Sequence, residues 1–223
     1  MPTVPRVVCL SDTHGLHDSL AVPEGDVLIH AGDLSMKGRE AEVQAFAAWF
    51  GALPHPHKIV IAGNHDWLFA RAPARGRELL CDVTYLCDEG AQVAGLHVWG
   101  SPWQPWFYDW AFNLPRGQAL RDKWDLIPHD TDVLVTHGPP FGYLDGAARP
   151  ASGWSDEHGV AVEHMGCEEL RVALDRVRPR LHVFGHIHEG YGQAQLGDTI
   201  LVNASNCDED YRPVNPPVVI DLP

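Results

Sequence analysis

Short apolar runs recur along the chain, and each is followed by a polar or glycine-rich segment. Seven of them are four or five residues long and rich in Val, Ile and Leu: RVVCL (6–10), DVLIH (26–30), KIVIA (58–62), DVLVT (132–136), LHVF (181–184), TILVN (199–203) and VVID (218–221). Runs of this length and composition are typical of strands that are buried on both faces. The pattern therefore predicts that a largely buried β-sheet forms the core.

Helical spacing separates several of these strands. Apolar residues recur at i, i+3, i+4 and i+7 in two segments, at Val43, Phe46, Ala47 and Phe50 and again at Leu170, Ala173, Leu174 and Val177. Strands that alternate with helices indicate the α/β class. The segments 84–87, 91–95 and 96–100 are predicted to add antiparallel strands, and 144–159 is predicted to be a surface loop.

Length and charge narrow the class of protein. A chain of 223 residues with 45% hydrophobic content can bury one sizeable core, so we expect a single domain over 1–223. No apolar run reaches membrane-spanning length and no signal peptide precedes the first strand, which predicts a cytoplasmic protein. The net charge of −14 argues against extended nucleic acid or a membrane as partner, and it leaves the oligomeric state open.

Metal-binding and proton-transferring side chains follow five of the predicted strands. They lie in the segments Ser11-Asp12-Thr13-His14, Gly32-Asp33, Gly63-Asn64-His65-Asp66, His137-Gly138 and Gly185-His186-Ile187-His188. Ligand sites of open α/β sheets lie at the carboxyl ends of the strands. If the last segment continues its strand, His186 and His188 face the same way, about 6–7 Å apart, which suits two neighbouring metal ions. The order of motifs predicts a dinuclear metal site.

The ordered motifs D-x-H, G-D, G-N-H-D, T-H-G and G-H-x-H resemble those of the calcineurin-like metallophosphoesterase superfamily, from about residue 6 to the C-terminus. The chain also resembles, more closely than the superfamily in general, the small metallophosphoesterase-domain proteins of vertebrate brain and of bacteria. Stretches that carry this closer resemblance are SPWQPWFYDWAFNLPRGQALRDKWDLIP (101–128), HVFGHIHEGYG (182–192) and NPPVVIDLP (215–223). The resemblance implies a four-layer α/β/β/α sandwich of two mixed sheets.

By motif position, the resemblance implies a specific set of metal ligands. Asp12, His14 and His188 would hold the first metal, Asn64, His137 and His186 the second, and Asp33 would bridge both. Mixed nitrogen and oxygen ligands suit divalent transition-metal ions, for which we expect Mn²⁺, with Fe or Zn²⁺ as alternatives. Two such ions can share an attacking hydroxide and clamp a phosphoryl group. The resemblance implies that His65 donates a proton to the leaving-group oxygen or stabilises the transition state there.

The chain departs from the family pattern at one position. Many members have an acid four residues after the glycine of G-D, where it orients the catalytic histidine, but Met36 stands there in GDLSM. We therefore expect His65 to be less basic and less firmly held. The same segment lacks the G-D-x-V-D-R-G pattern of the superfamily's protein phosphatases.

The aromatic stretch SPWQPWFYDWAF (101–112) has two interpretations. It could pack against the sheet, or it could form a wall on which a nucleobase stacks, with Trp103, Trp106 and Phe107 as candidate substrate contacts. Arg116 could clamp a phosphate, and a structural role is an equal alternative.

Three functions fit these features. The first is a dinuclear-metal-dependent phosphodiesterase that hydrolyses small phosphodiesters such as cyclic nucleotides. A phosphomonoesterase or nucleotidase, or a protein phosphatase, is the enzymatic alternative, and a nucleotide-binding sensor with weak turnover is the alternative from another class. All but the protein phosphatase have a small phosphate ester, expected to be a nucleotide, as the partner.

Overall fold

The strands and helices follow the predicted runs closely in the computed structural model, which describes residues 4–149 and 161–222. In these ranges the strands are β1 (Arg6–Leu10), β2 (Val27–Ala31), β3 (His57–Ile61), β4 (Thr84–Tyr85), β5 (Glu89–Val93), β6 (Leu96–Ser101), β7 (Gln104–Pro105), β8 (Asn113–Leu114), β9 (Val133–Thr136), β10 (Gly146–Arg149), β11 (Ala161–His164), β12 (Leu181–Phe184), β13 (Gly192–Leu196), β14 (Thr199–Asn203) and β15 (Val218–Asp221). The helices are α1 (Glu40–Ala52), α2 (Trp67–Arg71), α3 (Pro73–Leu79), α4 (Gln118–Trp124) and α5 (Glu168–Val177), with 3-10 turns at His17–Ser19 and His188–Gly190.

Two mixed sheets contain most of the strands. The first has the order β15-β1-β2-β3-β4, and the second has the order β13-β14-β12-β9-β6-β5. Within the first sheet β1 to β4 are parallel and β15 is antiparallel, whereas β13 and β5 are the antiparallel edges of the second. The prediction that 84–87 adds an antiparallel strand is wrong, because α2 and α3 carry the chain back over the sheet and return β4 parallel to β3.

Alternate residues of the central strands point into different layers. In β1, Val7 and Cys9 belong to the cluster between the two sheets, while Val8 and Leu10 face the helices outside the first sheet. Successive side chains of a strand point to opposite faces, so both faces of β1 are buried. This explains why the run is continuously apolar rather than alternating.

Helices cover the outer face of each sheet. Phe46 and Phe50 of α1 are fully buried against the first sheet, and truncating either to alanine would cost about 3–5 kcal/mol of folding free energy. On the second sheet, Trp124 of α4 and Leu170 and Leu174 of α5 pack in one cluster with strand residues. The layers are therefore helix, sheet, sheet and helix, which confirms the predicted sandwich.

The segment predicted as a loop over 144–159 is partly a strand. Residues 146–149 form β10, which pairs antiparallel with β11, and positions 150–159 lie outside the described residues. Within 4–149 and 161–222, no helix has the length and apolar character to span a membrane.

Candidate metal centre

Five loops at the carboxyl ends of β1, β2, β3, β9 and β12 meet at one edge of the sandwich. Hydrogen bonds join them directly: the His14 amide donates to the Asp33 carbonyl at 3.0 Å, the His65 amide to Asp33 Oδ1 at 2.8 Å, and the His186 amide to Asp12 Oδ2 at 3.0 Å. The structure thus brings together the seven predicted metal ligands and the predicted catalytic histidine. They are Asp12, His14, Asp33, Asn64, His65, His137, His186 and His188.

Four of these residues have an unusual backbone conformation. Asp12, His14, Asp33 and His186 have φ values of 53°, 46°, 54° and 68°. Left-handed conformations are uncommon for residues other than glycine, and each costs of order 1 kcal/mol or more. The fold therefore holds these loops in sharp turns that aim the side chains inward.

Glycines allow the loops to approach one another closely. At Gly32, with φ of 100°, a Cβ atom would lie 2.6 Å from His137 Nδ1, and at Gly63 it would collide with the Asp33 carboxylate. A side chain at either position would push a ligand out of place. This is why glycine precedes Asp33 and Asn64 in the sequence.

The last motif does not continue its strand. β12 ends at Phe184, His186 has a left-handed φ of 68°, and a 3-10 turn begins at His188. The prediction that the two histidines extend the strand and face the same way is therefore wrong. Both still reach the centre, because the turn replaces the strand exit and sends each ring to a different neighbour: His186 lies beside His137, with ring centroids 5.0 Å apart, and His188 beside His14, at 5.2 Å.

The Asp33 carboxylate lies at the middle of the centre. Its Oδ2 is 3.4 Å from His137 Nε2, 3.8 Å from His14 Nε2 and 4.0 Å from His65 Nε2. Asp33 is almost completely buried. The position is the one expected of a carboxylate shared by two metal ions.

The Asp12 carboxylate is the second negatively charged group of the centre, after Asp33. Its Oδ1 is 3.5 Å from His188 Nε2 and 4.0 Å from His14 Nε2, and its Oδ2 accepts a hydrogen bond of 2.9 Å from Ser205 Oγ. Ser205 follows β14 and was missed by the sequence analysis. The signal was available, because Ser205 lies just beyond the end of a predicted strand, in the same kind of position as the five motifs.

Backbone carbonyls fix the orientation of three imidazoles. His137 Nδ1 lies 3.0 Å from the carbonyl oxygen of Ala31, and His188 Nδ1 lies 2.8 Å from that of Asp208. His65 Nδ1 lies 2.8 Å from the carbonyl oxygen of Met36. A carbonyl can only accept, so each Nδ1 carries the proton and each Nε2 is directed to the centre. Such outer hydrogen bonds set the tautomer of metal-binding histidines.

Burial and charge give the groups different protonation states. Burial favours the neutral acid, yet His188 holds the pKa of Asp12, and His137 that of Asp33, well below the usual range. Burial lowers the pKa of His14 to about 4. Burial also opposes protonation of His137 and His188, but Asp33 and Asp12 respectively raise their pKa values to about 9. The anionic carboxylates thus attract cations to this centre.

The arrangement of the ligand atoms fits a pair of metal ions. His14 Nε2 and His188 Nε2 face each other at 3.3 Å, a contact that needs a shared proton or a cation between the nitrogens. Within the described ranges, three groups place their ligand atoms within 4.8 Å of one another: Asp12, His14 and His188; His14, Asp33 and His65; and Asp12, Asp33 and His137. Asn64 Oδ1 lies 2.8 Å from His137 Nε2 and can join the last group. This set of nitrogen and oxygen donors suits Mn²⁺, Fe or Zn²⁺.

His65 is held without the missing acid. Its Nδ1 bonds to the main-chain carbonyl of Met36, and its ring stacks on Trp110 with 4.2 Å between centroids and 24° between planes. The expectation that Met36 leaves His65 less firmly held is therefore wrong, because the backbone carbonyl of that residue accepts the hydrogen bond that orients the ring. The expectation that His65 is less basic stays a prediction. A backbone carbonyl has no sequence signature, so the motif comparison could not reveal it.

Asp66 ties two loops together rather than facing the centre. Its carboxylate accepts hydrogen bonds from the Gly63 amide at 2.8 Å, the Leu34 amide at 3.2 Å and Ser35 Oγ at 2.6 Å. Burial and the nearby Asp33 charge raise its pKa to about 7. Asp66 therefore fixes the β2 loop relative to the β3 loop.

Two buried histidines inside strands support the loops from behind. His30 Nε2 of β2 lies 3.0 Å from Thr13 Oγ1, and His182 Nε2 of β12 lies 2.8 Å from Thr136 Oγ1. Burial lowers the pKa of both histidines to about 3, so both are neutral at pH 7. Each threonine immediately precedes a predicted ligand histidine. One histidine–threonine pair therefore supports a ligand loop of the first sheet, and the other supports a ligand loop of the second sheet.

A cleft of about 530 Å³ opens over the metal-binding residues. Its aromatic wall consists of Phe107, Tyr108, Trp110 and Tyr211. Tyr211 lies beyond the aromatic stretch, and its ring centroid is 4.8 Å from that of His14. Its approach depends on the fold of the 208–212 turn, so sequence pattern gave no sign of it.

The other predicted substrate contacts lie elsewhere. Trp103 and Trp106 line a separate cavity, and Trp103 Nε1 donates to Asp88 Oδ2 at 2.9 Å. Arg116 forms an ion pair with Glu168 and donates to the carbonyls of Met165 and Gly166, because these acceptors surround its guanidinium on the α5 side. Among the predicted four, Phe107 alone lines the metal cleft.

Comparison with known proteins gives a consistent result. The sequence model for calcineurin-like phosphoesterase matches residues 5–190. Human "Metallophosphoesterase domain-containing protein 1" is 48% identical over 246 aligned positions, which span 100% of this chain and 72% of that protein. A UPF0046 protein of Caenorhabditis elegans is 40% identical over 98% of this chain and 81% of its own length.

Among solved structures, that of TT1561 of Thermus thermophilus superimposes with a TM-score of 0.59. The match spans 99% of this chain and 100% of that one at 16% identity. At this identity the likeness is one of fold.

Proposed function

Because this chain belongs to the calcineurin-like phosphoesterase family, whose members depend on a dinuclear metal centre, we propose that it hydrolyses small phosphodiesters such as cyclic nucleotides. The proposal deepens the coarser assignment as a metal-dependent phosphoester hydrolase, which the family match supports. Its substrate would be a small phosphate ester that carries a nucleoside.

The charge of the metal cleft carries this proposal. Among the described residues that line it there is no lysine or arginine, whereas Glu189 and Glu209 lie on its wall. A phosphomonoester carries up to two negative charges and a diester carries one. With no side-chain cation to balance the second charge, and with two acids nearby, the cleft favours the diester.

The aromatic wall supports a nucleoside as the organic part. Phe107, Tyr108, Trp110 and Tyr211 line the cleft beside the centre. Stacking of one base on an aromatic ring contributes about 1–3 kcal/mol and tolerates any base. Asp33 lines the same cleft, so a base held on this wall would lie in the space that also contains the centre.

The chain's own residues would hold the metals and the proton. Asp12, His14 and His188 would bind one ion, Asn64, His137 and His186 the other, and Asp33 both. When bound, two divalent ions supply Lewis acidity and a water of lowered pKa. We expect these ions to be Mn²⁺, with Fe or Zn²⁺ as alternatives. Ser205 orients Asp12, and the backbone carbonyls keep the histidine Nε2 atoms pointed inward.

His65 would act on the leaving group. Its Nδ1 proton is engaged by the Met36 carbonyl, so the proton available for transfer sits on Nε2, which faces the centre 4.0 Å from Asp33 Oδ2. Stacking on Trp110 restricts rotation of the ring. The geometry suits proton donation to the departing alkoxide of an ester.

Turnover of matched esters tests the proposal. Protein reloaded with Mn²⁺ would be assayed with 2′,3′- and 3′,5′-cyclic nucleotides and with the corresponding monophosphates. We expect kcat/KM for the diesters to be at least about tenfold higher, or about 1.4 kcal/mol in transition-state stabilisation. A tenfold preference for nucleoside monophosphates or phosphopeptides would refute it, and tight nucleotide binding without turnover would favour the sensor.

A wall variant sharpens the same assay. Tyr108 is 71% exposed, so Tyr108→Ala should fold normally, and it should raise KM for the nucleotide about tenfold through lost stacking. Val172→Ala, at a 68% exposed position on α5, is the matched surface control. An unchanged KM in Tyr108→Ala would mean that the base lies elsewhere.

A further inference from the structure

A second cavity, of about 600 Å³, lies beside the metal cleft. Seven aromatic side chains contribute to its lining: Trp67, Phe69, Tyr85, Trp103, Trp106, Trp110 and Phe112. None of the eight residues of the candidate metal centre lines it. Its volume lies within the roughly 300–1,000 Å³ of pockets that hold small molecules.

The segment 106–110 separates this aromatic cavity from the metal cleft. Trp106 and Asp109 line the cavity, and Phe107 and Tyr108 line the cleft. Trp110 borders both and stacks on His65. The two spaces therefore share a wall and differ in chemistry, because the cleft is rich in carboxylates and imidazoles and the cavity is rich in indoles.

The charges around the aromatic cavity indicate what it would accept. Arg77, which lines it, is paired with Glu89, and Lys123, which lies 4.4 Å from the Trp103 ring, is paired with Asp88. Asp109 has no hydrogen bond or ion pair with any residue that the structure describes. Arg71 lies over the Trp67 ring, 4.2 Å from its centroid. The cavity thus offers ring faces and the exposed Asp109 carboxylate as an acceptor, while the charges of Arg77 and Lys123 are balanced by their ion pairs.

We propose that the aromatic cavity is a second binding site, for a neutral planar heteroaromatic molecule that carries an N–H donor. The flat faces of the ligand stack on the indole rings, and its N–H donates to the Asp109 carboxylate. Binding requires no metal, since no metal ligand lines the cavity. The site is therefore independent of the phosphodiesterase proposal.

Calorimetric titration with indole tests this site in the full chain. Indole should bind equally to EDTA-treated and Mn²⁺-loaded protein, and 1-methylindole, which lacks the donor, should bind about tenfold more weakly. Asp109→Ala should abolish that difference between the two probes. Because EDTA-treated protein has no hydrolytic activity to lose, failure of the phosphodiesterase proposal would leave this result unaffected.

Two exposed aromatic residues supply a matched pair of variants. Trp106 is 61% exposed and lines the cavity, and Tyr108 is 71% exposed and lines the cleft. Trp106→Ala should weaken indole binding at least about tenfold, and Tyr108→Ala should leave it at the wild-type value. Circular dichroism would confirm that both fold.

Three results would overturn the proposal. Indole binding that is weakened by Tyr108→Ala or displaced by inorganic phosphate would place the ligand in the metal cleft. Absence of saturable binding would show that the cavity takes no such molecule. Self-association that indole suppresses in sedimentation experiments would assign the cavity to a contact between two copies of the chain.

Discussion

The two sheets contribute different chemistry to the metal centre. Loops of the first sheet carry both predicted carboxylate ligands, the amide and one imidazole, through Asp12, Asp33, Asn64 and His14. Loops of the second sheet carry imidazoles alone, through His137, His186 and His188. Two of the three ligand groups combine residues from both sheets. Neither sheet carries all seven predicted ligands, so the metals would join the two halves of the sandwich while the first sheet provides the anionic charge.

The largest expected effect comes from the first sheet. Asp33→Asn removes the carboxylate that lies near three imidazoles, and we expect a loss of metal and a fall in kcat/KM of about a thousandfold or more, beyond the roughly 10–100-fold typical of outer-shell changes. His188→Gln removes one imidazole of the second sheet and should cost less. Elemental analysis and steady-state kinetics would measure both, with exposed Asp122→Asn as control. Equal losses at Asp33 and His188 would contradict the unequal roles of the sheets.

The next effect distinguishes His65 from the ligands around it. Since proton donation matters most for a poor leaving group, His65→Ala should slow hydrolysis of a ribose-alkoxide ester about 10²–10⁴-fold and affect a nitrophenyl ester much less. Equal losses on the two esters would assign His65 to phosphate stabilisation.

The hydrogen bond between His65 and the Met36 carbonyl leads to a separate prediction about the same histidine. Met36→Ala keeps the backbone acceptor, so its activity should stay within about threefold of wild type, and Met36→Asp should bring no gain. A large rise in turnover of the alkoxide ester by Met36→Asp would show that the carbonyl does not orient the ring sufficiently.

A moderate effect concerns the docking of the two sheets. If metals join them, Mn²⁺ at about 100 times its Kd should stabilise the fold by about 2.7 kcal/mol, or about 5–10 °C in Tm for a chain of this size. Scanning calorimetry with and without chelator would measure the shift. Asp33→Asn should show little of it, and an equal shift in that variant would mean that the ions bind elsewhere.

A further effect, of similar size, tests where the sheets are alike. His30 and His182 both have a pKa of about 3 in the folded chain, against about 6.5 when unfolded, so the unfolded state takes up protons first as the pH falls below 6.5. Each therefore lowers the free energy of unfolding by about 1.4 kcal/mol per pH unit toward acid. Denaturation of metal-free His182→Gln and His30→Gln between pH 4 and 6 should give equally flatter profiles. Profiles parallel to wild type would show that these imidazoles do not govern the acid limb.

Sequence pattern predicted the parts of the centre that side chains define. The runs before Ser11, Gly185 and Ala204 match β1, β12 and β14 residue for residue, and the polar residues after five strands all converge. Convergence follows from the rule for strand ends, so it needed no knowledge of the packing.

Features that depend on backbone or on distant loops were beyond the pattern. Every residue has a backbone carbonyl, so the residue type at position 36 does not reveal that this carbonyl orients His65. Tyr211 reaches the centre through a turn near the C-terminus. Trp103 and Arg116 were predicted to contact the substrate because an indole can stack on a base and a guanidinium can bind a phosphate. In the structure the Trp103 indole N–H donates to Asp88, and the Arg116 guanidinium is paired with Glu168. Such partners decide the direction in which the side chain of a loop residue points.

The Asp12–Ser205 and Asp12–His186 hydrogen bonds span 193 and 174 positions of the chain, and β1 pairs with β15. During synthesis, a nascent chain that has emerged only as far as β9 has every carboxylate of the centre but neither the serine nor the last two imidazoles. Contacts of such high sequence separation form late and slow the search for the native topology. We therefore expect the centre to be complete, and able to bind both metals, only after the segment that contains His186, His188 and Ser205 has been synthesised and folded.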